Sequence, residues 1–176
     1  MTIVLKHLSV FSTVVVVFGA AIPVSLSAEG STGMTQGIVQ LVESLAGSYP
    51  YTRAKIQAIT GAQLEISDEN DYFVFLIGAA SELPDGTKIQ LVDLRIPKRG
   101  HKHPGFMTLE LSGRCLTRED IEPQFGRLDL IGAPRGRTAD ERIVYAARFG
   151  GAEIRFGFPE HDPKCVKVIG ITPRAP

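Results

Sequence analysis

The stretch RIVYAARFGGAEIRFGF, residues 142–158, indicates the fold more clearly than any other part of the chain. Residues 142–149 are rich in β-branched and aromatic side chains, and Gly150-Gly151 is typical of a two-residue hairpin turn. After the turn, apolar side chains at Ile154, Phe156 and Phe158 alternate with small or charged residues, which predicts one buried strand face. The stretch therefore predicts a β-hairpin in an antiparallel sheet.

Four other stretches predict strands from their β-branched and aromatic content. They are residues 72–77, 87–96, 107–111 and 166–172. The first is a continuous apolar run, which is typical of a well-buried central strand. The turn Pro84-Asp85-Gly86 leads into the second, whose apolar phase slips between Leu91 and Val92 and so predicts a bulge there.

Three helices are predicted between and before these strands. An apolar stripe at positions 38, 41, 42 and 45 predicts the first helix, with Thr35 as its cap and Gly47 at its end. The other two share one pattern, because Thr52-Arg53-x-x-Ile56-x-x-x-x-Gly61 matches Thr117-Arg118-x-x-Ile121-x-x-x-x-Gly126. In both copies a threonine is placed to cap a helix and a glycine to end it.

About three strands follow each copy of this pattern, so we predict an α+β fold. Its antiparallel sheet would have helices packed on one side, with a tandem α-β-β-β repeat (residues 52–113 and 117–172) after one extra N-terminal helix. An α+β domain without an internal repeat is the alternative.

The N-terminal segment has the order of a secretory signal peptide. Lys6 lies in the first seven residues, an uncharged apolar run follows to Val24, and small residues precede Glu29. We predict a signal peptide over residues 1–27, a flexible leader over 28–34 and a single domain over 35–176. The protein would be periplasmic or secreted, with no stable membrane anchor after cleavage; an uncleaved anchor is the alternative.

The overall charge excludes one class of function. The chain has 176 residues, with 19 lysines and arginines against 19 aspartates and glutamates. A neutral chain is not typical of a nucleic-acid binder that uses a basic surface, so we expect no nucleic-acid partner.

Cys115 and Cys165 are the two cysteines of the chain. In an exported protein an even pair is usually bonded, so we predict a disulfide between them. A catalytic thiol is the alternative, although neither cysteine adjoins a histidine or belongs to a C-x-x-C motif.

The chain resembles two groups of proteins. A short helix that starts at threonine and ends in Phe125-Gly126, followed by strands rich in tyrosine and phenylalanine, is similar to the β-lactamase-inhibitor-like fold, which includes small envelope lipoproteins. Gly113-x-Cys115-x-Thr117-x-x-Asp120, Pro134-Arg-Gly-Arg-Thr138 and Phe156-Gly-Phe158 through Pro163-x-Cys165 resemble uncharacterised exported bacterial proteins. The first resemblance implies protein binding; the second implies bacterial export and no particular activity.

Two basic loops are the candidate binding sites. The first carries Lys98, Arg99, His101, Lys102 and His103, and could contact an acidic protein surface or anionic lipid. Its His-x-His pair could ligate zinc or copper, but the neighbouring cations would repel a metal ion, so we predict no metal site. The second loop carries Arg135 and Arg137, whose forked donors suit a carboxylate or a phosphate; pairing with Asp140 or Glu141 inside the chain is the alternative.

Known catalytic and cofactor motifs are missing from the sequence. It has no G-x-S-x-G, H-E-x-x-H, phosphate-binding loop or dinucleotide fingerprint. We therefore expect no catalytic residues and no cofactor, and predict a non-catalytic module that binds another envelope or secreted protein as an inhibitor, immunity or assembly factor. A small-ligand or lipid carrier, or a hydrolase with an unrecognised site, are the alternatives.

Overall fold

A computed structural model describes residues 37–138 and 141–174. The predicted signal peptide, the leader and the proposed cap Thr35 lie outside these residues. The described part contains three helices, which are α1 (Ile38–Ala46), α2 (Arg53–Thr60) and α3 (Arg118–Phe125). Its eight strands are β1 (Glu65–Glu69), β2 (Phe73–Gly78), β3 (Thr87–Pro97), β4 (Phe106–Gly113), β5 (Asp129–Gly132), β6 (Arg142–Phe149), β7 (Ala152–Pro159) and β8 (Val168–Pro173).

All eight strands form one antiparallel sheet in the order β1-β2-β3-β4-β8-β7-β6-β5. The predicted sheet-rich α+β class is confirmed. The order is symmetric about its centre. If β1 to β4 are exchanged with β5 to β8, each with the strand numbered four higher, the same order is obtained when read from the other edge. The two meanders meet at the β4–β8 pair, in the centre of the sheet.

The buried side chains of the central strands lie on one face. Val92 of β3 pairs with Leu109 of β4, which pairs with Ile169 of β8, which pairs with Phe156 of β7. Each of these four side chains is at most 1% exposed, and all belong to one hydrophobic core. Since side chains alternate between faces along a strand, the residues between them point to the opposite face of the sheet.

Helices α2 and α3 confirm the repeated Thr-to-Gly pattern of the sequence. The Thr52 hydroxyl accepts a hydrogen bond from the backbone N–H of Lys55, and Thr117 forms a capping box with Asp120. Each helix ends at a glycine with positive φ, Gly61 at 72° and Gly126 at 75°. Both copies thus start at a threonine cap and end at a glycine, but the ends differ, because ψ is −2° at Gly61 and −166° at Gly126.

Four strands follow each of these helices, one more than predicted. The missed strands are the sheet edges β1 and β5, whose residues are almost all exposed and so show no apolar alternation. The prediction that β2 is well buried is wrong, because Leu76 is its only fully buried residue. Val74 packs against the core but is only partly buried, and Phe73, Phe75 and Ile77 lie on the opposite face of the sheet. The β3 bulge lies between Ile89 and Leu91, close to the predicted slip.

The predicted disulfide is confirmed: Cys115 and Cys165 are bonded. Cys115 lies in the linker between β4 and α3, and Cys165 in the loop between β7 and β8. The bond therefore joins the start of the second meander to a loop near its end.

Candidate functional site

The face of the sheet opposite the core carries a cluster of aromatic side chains and one arginine. The guanidinium carbon of Arg95 lies 5.0 Å from the ring centre of Phe75 and 4.9 Å from that of Phe106. Phe73 packs edge-on against Phe106 at 6.0 Å, and Arg95 is held by Asp93 at 3.1 Å. This cation–π arrangement places half-buried aromatic rings beside an ion-paired arginine, and both residue types are enriched in protein interfaces.

The first basic loop (residues 98–105) adjoins this cluster, but its side chains have different roles. His103 packs against Phe73 and Phe106 at 5.3 and 5.8 Å, and its Nδ1 accepts a hydrogen bond from the Gly105 N–H. His101 instead packs on Tyr72 at 5.0 Å, so the two imidazoles of the His-x-His pair have different neighbours. Among residues 37–138 and 141–174, no group of three potential metal ligands converges.

The cations of this loop also differ from one another. Lys98 forms an ion pair with Glu69 at 2.5 Å, which ties the loop to strand β1. Arg99 and Lys102 are exposed and form no ion pair with a described residue. Of the predicted partner-binding lysines and arginines here, Arg99 and Lys102 have side chains free to contact another molecule.

The described part of the second basic loop, residues 133–138 and 141, is folded around its own carboxylate. Glu141 accepts hydrogen bonds from the backbone N–H groups of Arg135, Gly136 and Arg137, the last two at 3.0 and 3.1 Å. These hydrogen bonds lower the pKa of Glu141, and the bond from Arg135 has the largest effect. Glu141 therefore does pair inside the chain, which was the alternative to a binding role for this loop. It pairs with the loop backbone and not with the guanidinium groups of Arg135 and Arg137.

Replacing Glu141 with glutamine should loosen this loop. We expect faster hydrogen exchange at the backbone amides of residues 135–137, with little change in global stability because the carboxylate is solvent-accessible. Wild-type protein should show the same loosening as the pH falls through the lowered pKa of Glu141, since protonation removes the charged acceptor. Glu160→Gln, at an exposed carboxylate in another loop, is the control; equal exchange rates in the two variants would contradict the assignment.

The two basic loops lie at opposite ends of the sheet. Met107, next to the first loop, pairs with Ile171, which pairs with Ile154, which pairs with Ala147 near the end of β6. The second loop leads into Arg142, at the start of β6. The predicted partner-binding residues therefore do not form one compact site.

A shallow groove connects the two regions across the face of the sheet opposite the core, which we call the open face. It has a volume of about 410 Å³ and crosses β4, β8, β7 and β6. Its lining residues are Phe106, Met107, Thr108, Arg142, Val144, Arg155, Gly157, Val168, Gly170 and Thr172. Phe106 also belongs to the aromatic cluster, and Arg142 follows the second loop, so the groove joins features that are distant in the sequence.

Two glycines of central strands form the floor of this groove. Gly170 of β8 pairs with Arg155 of β7, and Gly157 of β7 pairs with Val168 of β8, so both glycines share the open face. A Cβ at Gly157 would approach Cδ of Arg142 to 3.1 Å, so the arginine stem lies across this glycine. Sequence reasoning missed the site, although glycine inside a strand is a signal of close approach by another molecule.

The fold itself does not require glycine at position 170. Its φ is not in the left-handed region, and an added Cβ would meet nothing closer than Cβ of Arg155 at 3.7 Å, an ordinary contact. Gly78 and Gly113 are different, since a Cβ there would lie 2.3 and 2.4 Å from backbone oxygens. The packing therefore has room for alanine at position 170. Because residue 170 has no side chain, the floor of the groove is backbone at this point.

Comparisons of the chain with protein-family models, curated proteins and solved structures find no match. In the part of the chain that the structure describes, no helix has the length and apolar character needed to cross a membrane.

Proposed function

We propose that this protein is an exported, non-catalytic binding module that recognises another protein through the open face of its sheet. Helices on one side only would leave this face free for a partner. Two contacts support that arrangement: α1 lies against β7 and β8, and α3 lies against β6. The buried residues of both helices belong to the same core as the buried strand face.

The observation that carries the proposal is the glycine floor of the groove. Glycine weakens the interior of a strand by roughly 0.5–1 kcal/mol relative to alanine. Gly170 lowers the stability of β8 in this way, although neither a positive φ nor a close contact inside the chain requires glycine at this position. The missing side chain at Gly170 lets a partner's chain approach the sheet closely, between Phe106 at one end and Arg142, whose stem covers Gly157, at the other.

The surroundings of the groove suit a protein partner. Tyrosine, phenylalanine and arginine are the residue types that contribute most at interfaces, and Arg95 stacked on Phe75 and Phe106 is already ordered before binding. Arg142 is exposed and forms no ion pair with a described residue, so it can pair with a partner's carboxylate.

Export and internal duplication remain part of the proposal. The Cys115–Cys165 bond supports an oxidising compartment, the periplasm or the exterior. The symmetric strand order and the matching helices α2 and α3 support a tandem repeat, now with four strands in each copy. Both features are compatible with the resemblance to β-lactamase-inhibitor-like proteins, which implies protein binding.

Affinity capture from envelope extract tests the groove. Wild-type protein should retain one stoichiometric partner, whereas Gly170→Val and Arg142→Glu should lose it. With the purified partner, each change should weaken binding at least ten-fold, about 1.4 kcal/mol, because one fills the floor and the other reverses the charge.

Three further variants complete this test. Arg53→Glu, on the exposed surface of α2, should bind like wild type. Arg99→Glu/Lys102→Glu reports whether the first basic loop contributes, without disturbing the Lys98–Glu69 pair. Gly170→Ala should raise the free energy of unfolding by about 0.5 kcal/mol, showing that the glycine is not needed for folding. Full retention of the partner by both groove variants would disprove the proposal.

A further inference from the structure

The two edge strands of the sheet, β1 and β5, each have one side with which no described residue pairs, and each contains one irregularity in its pairing on the other side. Both carry exposed large apolar side chains, with Ile66 60%, Leu130 58% and Ile131 51% exposed. Free backbone donors and acceptors beside exposed apolar residues make an edge able to accept another strand.

The two edges have opposite charge. Residues 65–71, at β1, contain four carboxylates and no cation. Residues 127–137, at β5, contain three arginines and one aspartate. Glu141 lies against the backbone of residues 135–137, so three arginines stand against two carboxylates and this edge stays net positive. Of the β1 carboxylates, Glu69 pairs with Lys98, while the β5 arginines form no ion pair with a described residue.

The directions of the edge strands are complementary as well. In an antiparallel sheet of eight strands, the first and the last strand run in opposite directions. A second copy placed beside the first in the same orientation therefore brings its β1 antiparallel to β5. The combined sheet continues without a break, and the core faces and open faces of both copies stay aligned.

We propose that the occupant of the β5 edge is β1 of a second copy of this chain, in a head-to-tail contact. Symmetric contacts are disfavoured, because β5 against β5 brings arginines together and β1 against β1 brings carboxylates together. A head-to-tail contact leaves one free edge at each end, so copies add until a ring closes or a linear assembly forms.

Sedimentation velocity of the protein purified after export tests this contact. The weight-average mass should rise with concentration to more than twice that of one chain in about 20 mM salt, and fall towards one chain in about 500 mM salt, because salt screens the opposed charges. A single-chain mass at every concentration in low salt overturns the proposal, including the case in which an edge pairs only with a different protein.

Two charge-reversed variants define the surfaces. Glu65→Lys/Asp71→Lys disables the β1 edge, and Arg127→Glu/Arg137→Glu disables the β5 edge. Each variant alone should remain a single chain. An equimolar mixture should assemble as wild type does, because the reversed β1 edge of one variant is complementary in charge to the reversed β5 edge of the other, and the two unaltered edges still match. Arg53→Glu should assemble like wild type. Assembly of either variant alone shows a different surface and refutes the contact.

This inference and the groove proposal fail independently. The edge variants leave Gly170 and Arg142 intact, and the groove variants leave both edges intact. Wild-type protein that captures its partner but stays a single chain in low salt would overturn the edge contact alone.

Discussion

Replacing Cys115 and Cys165 together with serine is expected to lower the free energy of unfolding by roughly 4 kcal/mol. The bond closes a loop with a sequence separation of 50 residues, and removing it gives that freedom back to the unfolded chain. The native surroundings favour the bond, since Leu116 and Val166 beside the cysteines are each 2% exposed. The Val166 N–H also donates to the Leu116 carbonyl at 2.9 Å.

Urea unfolding measures this loss of stability. Comparing reduced wild type with the variant separates the effect of the disulfide from the effect of replacing cysteine by serine. Wild-type protein with and without reductant is compared with the double serine variant. Reduced wild type and the variant should unfold at nearly the same urea concentration, well below oxidised wild type. A difference of less than about 1 kcal/mol between oxidised wild type and the variant would show that the bond contributes little to stability.

The fold was predictable where one strand face is buried. Ile154, Phe156 and Phe158 alternate in β7 because the core lies on one side, and the hairpin with β6 was placed correctly. The edge strands were not predictable, because with nearly every residue exposed no periodicity distinguishes them from loops. In β2 the apolar run misled the prediction of burial: Phe73 and Phe75 build the aromatic cluster of the open face.

The candidate site was only partly predictable. The basic loops are local features, so their residues could be named from the sequence. The groove depends on register across four strands, which brings Phe106, Gly170, Gly157 and Arg142 together from positions far apart in the chain. No short motif contains them; strand-interior glycines without a conformational role were the available signal.

Four consecutive residues, 114–117, connect the two meanders. Arg114 contacts Asp85 of the first meander at 3.6 Å and Asp120 of α3 at 2.8 Å. The next residue forms the disulfide, Leu116 is buried, and Thr117 caps α3. The linker is thus held by an ion pair, a covalent bond and packing. Asp85, the partner of Arg114 in the first meander, also contacts α1.

Replacing Asp85 with alanine is expected to cost about 2–3 kcal/mol of stability. Its carboxylate accepts hydrogen bonds from the backbone N–H of Ile38 at 2.9 Å and of Thr87 at 3.0 Å. The first contact caps α1 from another part of the chain, since the N-cap residue Gly37 has no side chain to do so. The change therefore weakens the start of α1, the β2–β3 turn and the ion pair with Arg114 together.

The pH dependence of this loss identifies the charge as its source. Burial by itself would raise the pKa of Asp85, but hydrogen bonds from Ile38 and Thr87 and the charge of Arg114 outweigh it and lower the pKa. Because the folded-state pKa is depressed, the stabilisation is fully present above the unfolded value near 4 and disappears as the pH falls through the lowered value. The stability difference between wild type and Asp85→Ala should therefore be constant from about pH 8 to about pH 5 and shrink below about pH 4.

Two variants make the measurement decisive. Asp85→Asn keeps the size and one acceptor oxygen, so it should lose part of the stability and show no dependence on the ionisation of residue 85. Glu110→Ala removes an exposed carboxylate from β4 and should change stability by less than about 0.5 kcal/mol. If Asp85→Ala behaves like Glu110→Ala, then α1 is held by its apolar face alone. If its cost instead persists unchanged into acid, then the carboxyl of Asp85 stabilises the fold without its charge. The charged cap would in either case not join the two meanders.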